Sequence, residues 1–210
     1  MTDASGDQLE VVRRIYRDSD SFDAICRYRD ILARRGIEWG LLGPREGPLL
    51  WERHILNSAA VAELVPEHVS VADIGSGAGL PGIPLAILRP DLTMDLVESL
   101  LRRSTFLAQA VDDLGITSRV RVVRVRAEEL TSRYDVVLSR ALAPLDRLVR
   151  WCRPLLNDGG TILAIKGSAA EREIADHAGL LRRSGLIAEI LGCRLDDEIP
   201  PTTVVRLRER

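Results

Sequence analysis

The chain has 210 residues, 46% of them hydrophobic, which is enough for one sizeable core with an extension. A net charge of −2 excludes a global electrostatic pull toward nucleic acid, so any such contact must come from local arginine patches. No membrane-length apolar run or signal peptide is visible, and a cytoplasmic protein without membrane attachment is expected.

Residues 1–65 read as a helical extension separate from the remainder of the chain. Leu9, Val12, Ile15 and Tyr16 fall at helical spacing, and Phe22, Ile25, Tyr28 or Arg29, and Leu32 repeat it before Gly36 and Gly40 interrupt. Glycine and proline content makes residues 41–48 a loop. Leu49 to Leu64 is then predicted helical, with Arg53, His54 and Asn57 on one polar face. Taken alone, His54 is better explained as part of an exposed helix face.

Next comes the stretch VADIGSGAGLPGIP. Val69, Val71, Ala72 and Ile74 form an apolar run that stops at Gly75, and Ile83, Leu85, Ala86, Ile87 and Leu88 come after it at helical density. The reading is strand, glycine turn, helix, with the glycines letting the backbone turn sharply and approach a ligand. A glycine-rich turn that binds nothing is the plain alternative for GxG alone. Gly77-Ala-Gly79-Leu-Pro-Gly82 also satisfies the dinucleotide fingerprint, but Asp73 precedes the first glycine by two positions. A fixed carboxylate there repels a pyrophosphate, whereas it favours the ammonium and sulfonium of S-adenosylmethionine. Asp73 as a turn or helix-cap residue is the competing explanation.

From Leu92 onward strands alternate with helices. Strands are predicted over Leu92 to Val97, Arg119 to Val125, Tyr134 to Leu138 and Thr161 to Ile165, with a turn at Gly159-Gly160 before the last of these. Helices are predicted over Leu100 to Leu114, Pro144 to Leu156 and Ala169 to Arg183, and two final strands near Leu186 to Arg194 and Thr203 to Leu207. The pattern is that of an α/β chain with a mostly parallel seven-stranded sheet and helices on both faces, over residues 66–210. Asp73 with the glycines, Glu98, Ala127-Glu128, Arg140 and Lys166 stand at or after the carboxyl ends of successive strands, which is the ligand-binding edge of such a sheet. Glu98, about twenty residues past the glycine turn, is placed to accept hydrogen bonds from ribose hydroxyls.

Two compositional features remain. Of the 29 basic residues only Lys166 is a lysine, so its ammonium is expected to do something a guanidinium cannot, such as contact an acceptor nucleotide. Cys26, Cys152 and Cys193 are far apart and lack CxxC spacing, so reduced thiols and no metal site are expected.

The sequence is similar to the bacterial small-subunit ribosomal RNA methyltransferase G family, also called glucose-inhibited division protein B. The residues that carry the resemblance are Arg53-His54-Ile55, Asp73 through Ala86 with its Gly-Leu-Pro-Gly, Arg89-Pro90, Glu98-Ser99-Leu100 and Arg126-Ala127-Glu128-Glu129, then Ser139-Arg140-Ala141 and Lys166-Gly167. They span about Ile25 to the C-terminus. The resemblance implies a class I Rossmann-like, S-adenosylmethionine-dependent methyltransferase. It also implies transfer to N7 of one guanine in 16S ribosomal RNA, the family's guanine 527. Its cofactor contacts carry over to Gly75, Leu80, Ala127, Glu128 and Arg140, with the second-strand acid at Glu98. Asp73, Gly77 and Gly79 join this set from the loop, and Arg140, Lys166 and His54 are the candidate catalytic residues, the first two as holders of the acceptor nucleotide. The chain is expected to be a monomer whose partner is the small ribosomal subunit. The N-terminal arginines Arg27, Arg29, Arg34 and Arg35 match the family weakly, which leaves RNA contacts there open. A small-molecule or protein methyltransferase on the same fold, or a non-catalytic NAD-binding regulator, are the other readings.

Overall fold

The computed structural model describes residues 4–141 and 143–210. Five strands, β1 (Ser70–Ile74), β2 (Thr93–Val97), β3 (Val120–Val123), β4 (Tyr134–Arg140) and β5 (Leu156–Ile165), pair in parallel. The last two, β6 (Leu186–Cys193) and β7 (Thr202–Glu209), pair antiparallel with each other, and β7 lies antiparallel against β5. The order β3-β2-β1-β4-β5-β7-β6 makes one seven-stranded sheet, as the alternation of elements predicts. The chain winds outward in opposite directions from β1 and β4, so a crevice opens at their carboxyl ends.

Both faces of the sheet are covered, and strand alternation divides the core accordingly. Val71, Val136, Leu138, Leu163 and Ile165 face one apolar layer, while Ala72, Ile74, Val137, Ile162 and Ala164 face the other. The first layer receives helices α1 (Ala4–Ile15) and α2 (Ser19–Ile31). It also holds Leu50, Ile55 and Val61, and helices α4 (Gly82–Leu88) and α5 (Leu101–Asp113). The second holds α6 (Leu145–Cys152), α7 (Ala170–Asp176) and α8 (Ala178–Arg183). Residues on the two sides of position 65 therefore share one core. Two buried hydroxyls pin the N-terminal helices to the glycine region: Tyr16 Oη donates to the Pro84 carbonyl at 3.1 Å, and Tyr28 Oη to the Ala78 carbonyl at 2.8 Å.

Three local expectations differ from the structure. The predicted helix from Leu49 to Leu64 is a succession of turns: 3-10 at Gly47–Leu49, π at Leu50–Leu56, a three-residue α3 (Asn57–Ala59), and 3-10 again at Ala60–Leu64. The helix predicted from Ala169 to Arg183 breaks at His177. Gly159 and Gly160 lie inside β5 at a register shift rather than in a preceding turn. A Cβ on Gly160 would lie 2.9 Å from the Asn157 carbonyl oxygen and 3.1 Å from that of Tyr134, so the bulge requires a bare backbone.

Candidate functional site

The site begins where β1 ends. The N–H groups of Gly75 and Ser76 both donate to the Val97 carbonyl, at 2.9 and 3.1 Å, which ties the loop to the end of β2. Gly75, Gly77 and Gly79 have φ of 73°, 58° and 98°, a region that side chains disfavour. At Gly79 space is restricted as well, since a Cβ would meet Ile83 Cδ1 at 2.4 Å and Tyr28 Oη at 3.0 Å. Gly77 has room around it, its nearest neighbour being the Gly75 carbonyl at 3.8 Å, so conformation alone explains that glycine.

Asp73 is fully buried beneath this loop. Its Oδ2 accepts from Ser76 Oγ at 2.6 Å and from the Gly82 N–H at 3.0 Å, while Oδ1 has no partner. Burial raises its pKa to about 6, against the pull of those two hydrogen bonds. The carboxylate thus staples the loop to the start of α4. It does not line the cavity beside the loop, where an attraction for cofactor cations would place it.

That cavity, of about 520 Å³, occupies the crevice between β1 and β4. Gly75, Glu98, Ala127, Glu128 and Arg140 all line it, together with apolar wall residues Leu100, Val125 and Trp151. Glu98 is only 5% exposed. Its oxygens accept from the Gly77 N–H at 3.2 Å and the Leu100 N–H at 2.9 Å, and Arg103 Nη1 stands 3.8 Å away. Gly77, Gly79 and Leu80 belong to the loop beside the cavity rather than to its lining.

Arg140 joins the cavity to the N-terminal segment. Its Nη1 donates to the His54 carbonyl at 3.0 Å and to Ser58 Oγ at 2.8 Å, and its Nη2 lies 2.7 Å from His54 Nδ1. His54 Nε2 in turn lies 2.6 Å from Glu46 Oε2. Burial lowers the pKa of Arg140 and, with less effect from neighbouring charges, that of His54; the His54 hydrogen bond lowers that of Glu46. Ala141, next in the chain, has φ of 51°, a strained conformation for a residue with a side chain. His54 is thus a buried member of a polar chain, not a residue of an exposed helix face.

Lys166 is placed differently from the expectation. Its Nζ donates to the Ala143 carbonyl at 2.9 Å and to Glu173 Oε2 at 2.7 Å, and it does not line the cavity. The ammonium is used to tether the segment just beyond Arg140, a task that suits a compact group with several donors on one atom. Glu46, Ser58 and Trp151 were not legible as site residues. Glu46 lies in a stretch marked only by glycine and proline, and nothing in its eight-residue separation from His54 signals contact. Among the described residues no group of three His, Cys, Asp or Glu side chains is placed to hold a metal ion, and no helix is long and apolar enough to cross a membrane.

Residues 22–194 match the family described as rRNA small subunit methyltransferase G. A ribosomal RNA small subunit methyltransferase G from Mycolicibacterium smegmatis is 52% identical over 197 residues, covering 91% of this chain and 83% of that protein. The protein of the same name from Rhodococcus jostii is 49% identical over 209 residues, covering 97% and 90%. Among solved structures, the O-methyltransferase NcsB1 of neocarzinostatin biosynthesis, in complex with S-adenosyl-L-homocysteine, superposes with a TM-score of 0.60 at 16% identity. That match covers 79% of this chain and 56% of NcsB1, and at such identity it carries the fold alone.

Proposed function

The chain belongs to the rRNA small subunit methyltransferase G family, and from that premise we propose that it methylates N7 of one guanine in 16S ribosomal RNA, guanine 527 in the family. Its cofactor is S-adenosylmethionine. The observation that carries the reading is the cavity at the β1–β4 crevice, floored by bare backbone at Gly75 and lined by the Glu98 and Glu128 carboxylates. Its volume suits a nucleoside-sized ligand. The two carboxylates suit ribose hydroxyls and the cofactor's cations, while Arg103, Arg126 and Arg140 line the same cavity.

When bound, the cofactor supplies an electrophilic methyl group on a sulfonium. Glu98 would accept hydrogen bonds from the ribose hydroxyls, and Gly75 with Ala127-Glu128 would line the remainder, with Leu80 in the loop beside the cavity. Guanine N7 carries an in-plane lone pair and no proton, so no general base is needed and in-line alignment supplies most of the rate. Arg140 directs its remaining donors to the acceptor, through guanine O6 or a neighbouring phosphate. The RNA presents an exposed or flipped base. Residues 1–65 form the RNA side; Arg29 and Arg35 are paired with Asp30 and Asp113. Arg34 and Arg102 have no ion pair among the described residues, and with the cavity-lining Arg103 they are assigned to RNA phosphates; Arg27 stands beside Asp20 and Asp23 with Pro90 and Arg119, ahead of β2 and β3 and away from the crevice. The protein acts as a monomer in the cytoplasm. Mapping N7-methylguanine in 16S ribosomal RNA from cells with and without the protein tests the reading. Methylation that persists unchanged without it, or transfer by purified protein only to small metabolites, refutes it.

A further inference from the structure

Behind the cavity three side chains stand in line. Glu46 comes from the loop before the first 3-10 turn, His54 from the π turn and Arg140 from the end of β4. A guanidinium has only N–H donors, so the histidine nitrogen that faces it at 2.7 Å, Nδ1, must be the acceptor. The ring proton then sits on Nε2, pointing at the Glu46 carboxylate 2.6 Å away. Partners on both sides select one neutral tautomer, and the side chain is only 9% exposed, so it cannot turn away into water. The same residue accepts from Arg140 Nη1 through its main-chain carbonyl at 3.0 Å, and Ser58 takes the other Nη1 hydrogen at 2.8 Å. Three of the five guanidinium hydrogens are held in this way. Nε–H and the second Nη2–H have no acceptor among the described residues, on a side chain that lines the cofactor cavity.

We propose that His54, fixed in its Nε2–H tautomer by Glu46, is a positioning residue that aims Arg140 for methyl transfer and releases it when the ring takes up a second proton. A protonated ring would turn Nδ1–H toward Arg140 Nη2–H, setting two donors and two positive charges against each other. The inference rests on the proposed function in assigning Arg140 to the transfer step. The charged or titratable groups around the ring are Glu46 from the loop, Arg53 on its own turn, and Arg140 from β4; Tyr28 of α2 and Asp73 of β1 act on Arg140 from beyond. Burial, Arg140 and Arg53 favour the neutral ring, and Glu46 opposes them, with the pKa ending below the ordinary histidine value.

The test is methyl transfer to purified 30S subunits, with kcat and KM followed from about pH 5 to about pH 8.5. In the wild type, kcat should fall on the acid side with an apparent pKa below that of free histidine. His54→Ala should lower kcat by more than about tenfold at about pH 8. His54→Gln, whose carbonyl oxygen can accept from Arg140, should recover most of that loss and show no acid limb. Glu46→Gln removes the group that favours the charged ring, so its acid limb should move to lower pH. Imidazole nitrogen NMR of the wild-type protein should find Nδ1 unprotonated at about pH 8, a readout independent of activity. An acid limb that survives in His54→Gln, full kcat in His54→Ala, or a proton on Nδ1 would overturn the inference while leaving the proposed function intact. Failure of the wild type to methylate any guanine of the subunit would remove both.

Discussion

Replacing Asp73 by asparagine isolates the charge buried under the glycine loop. The native pKa of about 6, against 3.8 for a free aspartate, means that folding penalises the ionised carboxylate. At about 1.36 kcal/mol per unit, that penalty is of order 3 kcal/mol. Because the folded pKa is raised, the stability is fully present below about pH 4 and is lost as the pH rises through about 6. Asparagine can keep both acceptor roles, to Ser76 Oγ and the Gly82 N–H, but it puts an N–H₂ where Oδ1 now stands without a partner. A buried unpaired donor costs about 1–3 kcal/mol, which offsets part of the gain. Urea unfolding should therefore show Asp73→Asn more stable than the wild type by about 1 kcal/mol at pH 8, with the advantage gone or reversed at about pH 4.5. A variant less stable than the wild type at pH 8, or a difference that does not change with pH, would refute the reasoning. Cofactor titration of the same variant separates loop stapling from cofactor attraction: Asp73 lies outside the cavity lining, so affinity should fall by less than about tenfold.

Three further outcomes are expected. Glu98→Ala should weaken S-adenosylmethionine by about 1.5–3 kcal/mol in calorimetry, the scale of hydrogen bonds to a charged group, with RNA affinity little changed; an unchanged dissociation constant would leave Glu98 as a support for the Gly77 and Leu100 amides only. Gly79→Ala should cost about 1–3 kcal/mol of unfolding free energy, because its Cβ would sit 2.4 Å from Ile83 Cδ1 in a backbone conformation with φ of 98°; a thermal midpoint equal to the wild type would contradict it. Lys166→Ala should lower methyl transfer by more than about tenfold while leaving cofactor affinity near wild type. Lys166→Arg should recover part of the loss through Glu173, and a fully active arginine variant would show that charge alone suffices at this position.

The sheet was legible because its signals are local. Apolar runs that stop at Gly75, Glu98 and Lys166 mark buried parallel strands, and the alternation with helices gives the seven-stranded order its class. Leu49 to Leu64 reads as one helix because hydrophobic spacing reports which residues face a core, and a chain of 3-10, π and α turns can satisfy that spacing as well as one helix can. Gly159-Gly160 punctuates a bulge, which sequence cannot separate from a turn. At the site, Gly75, Glu98, Ala127, Glu128 and Arg140 could be found because each stands at or after the end of a strand, and topology alone brings those ends together. The side chains behind them could not. Whether Lys166 points at a ligand or at Ala143 and Glu173, and whether Asp73 faces a cavity or a loop, depends on packing that no spacing rule encodes.

The lone lysine has protein partners of its own. A chain that uses arginine almost everywhere would keep lysine where the guanidinium fork does not fit, and the structure supplies such a place without any substrate. One ammonium nitrogen reaches a carbonyl at 2.9 Å and a carboxylate at 2.7 Å, and a planar group of greater breadth would have to displace one of them. The Ala143 carbonyl lies three residues beyond Arg140, past a strained Ala141. Arg140 is therefore held from two directions: Glu46 and His54 act on its guanidinium, and Lys166 acts on the backbone that carries it onward. For a reaction that moves no proton at the acceptor atom, orientation is the main contribution a protein has to make. The groups packed directly against Arg140 serve that end: His54 is held by Glu46, and Tyr28 by the Ala78 carbonyl.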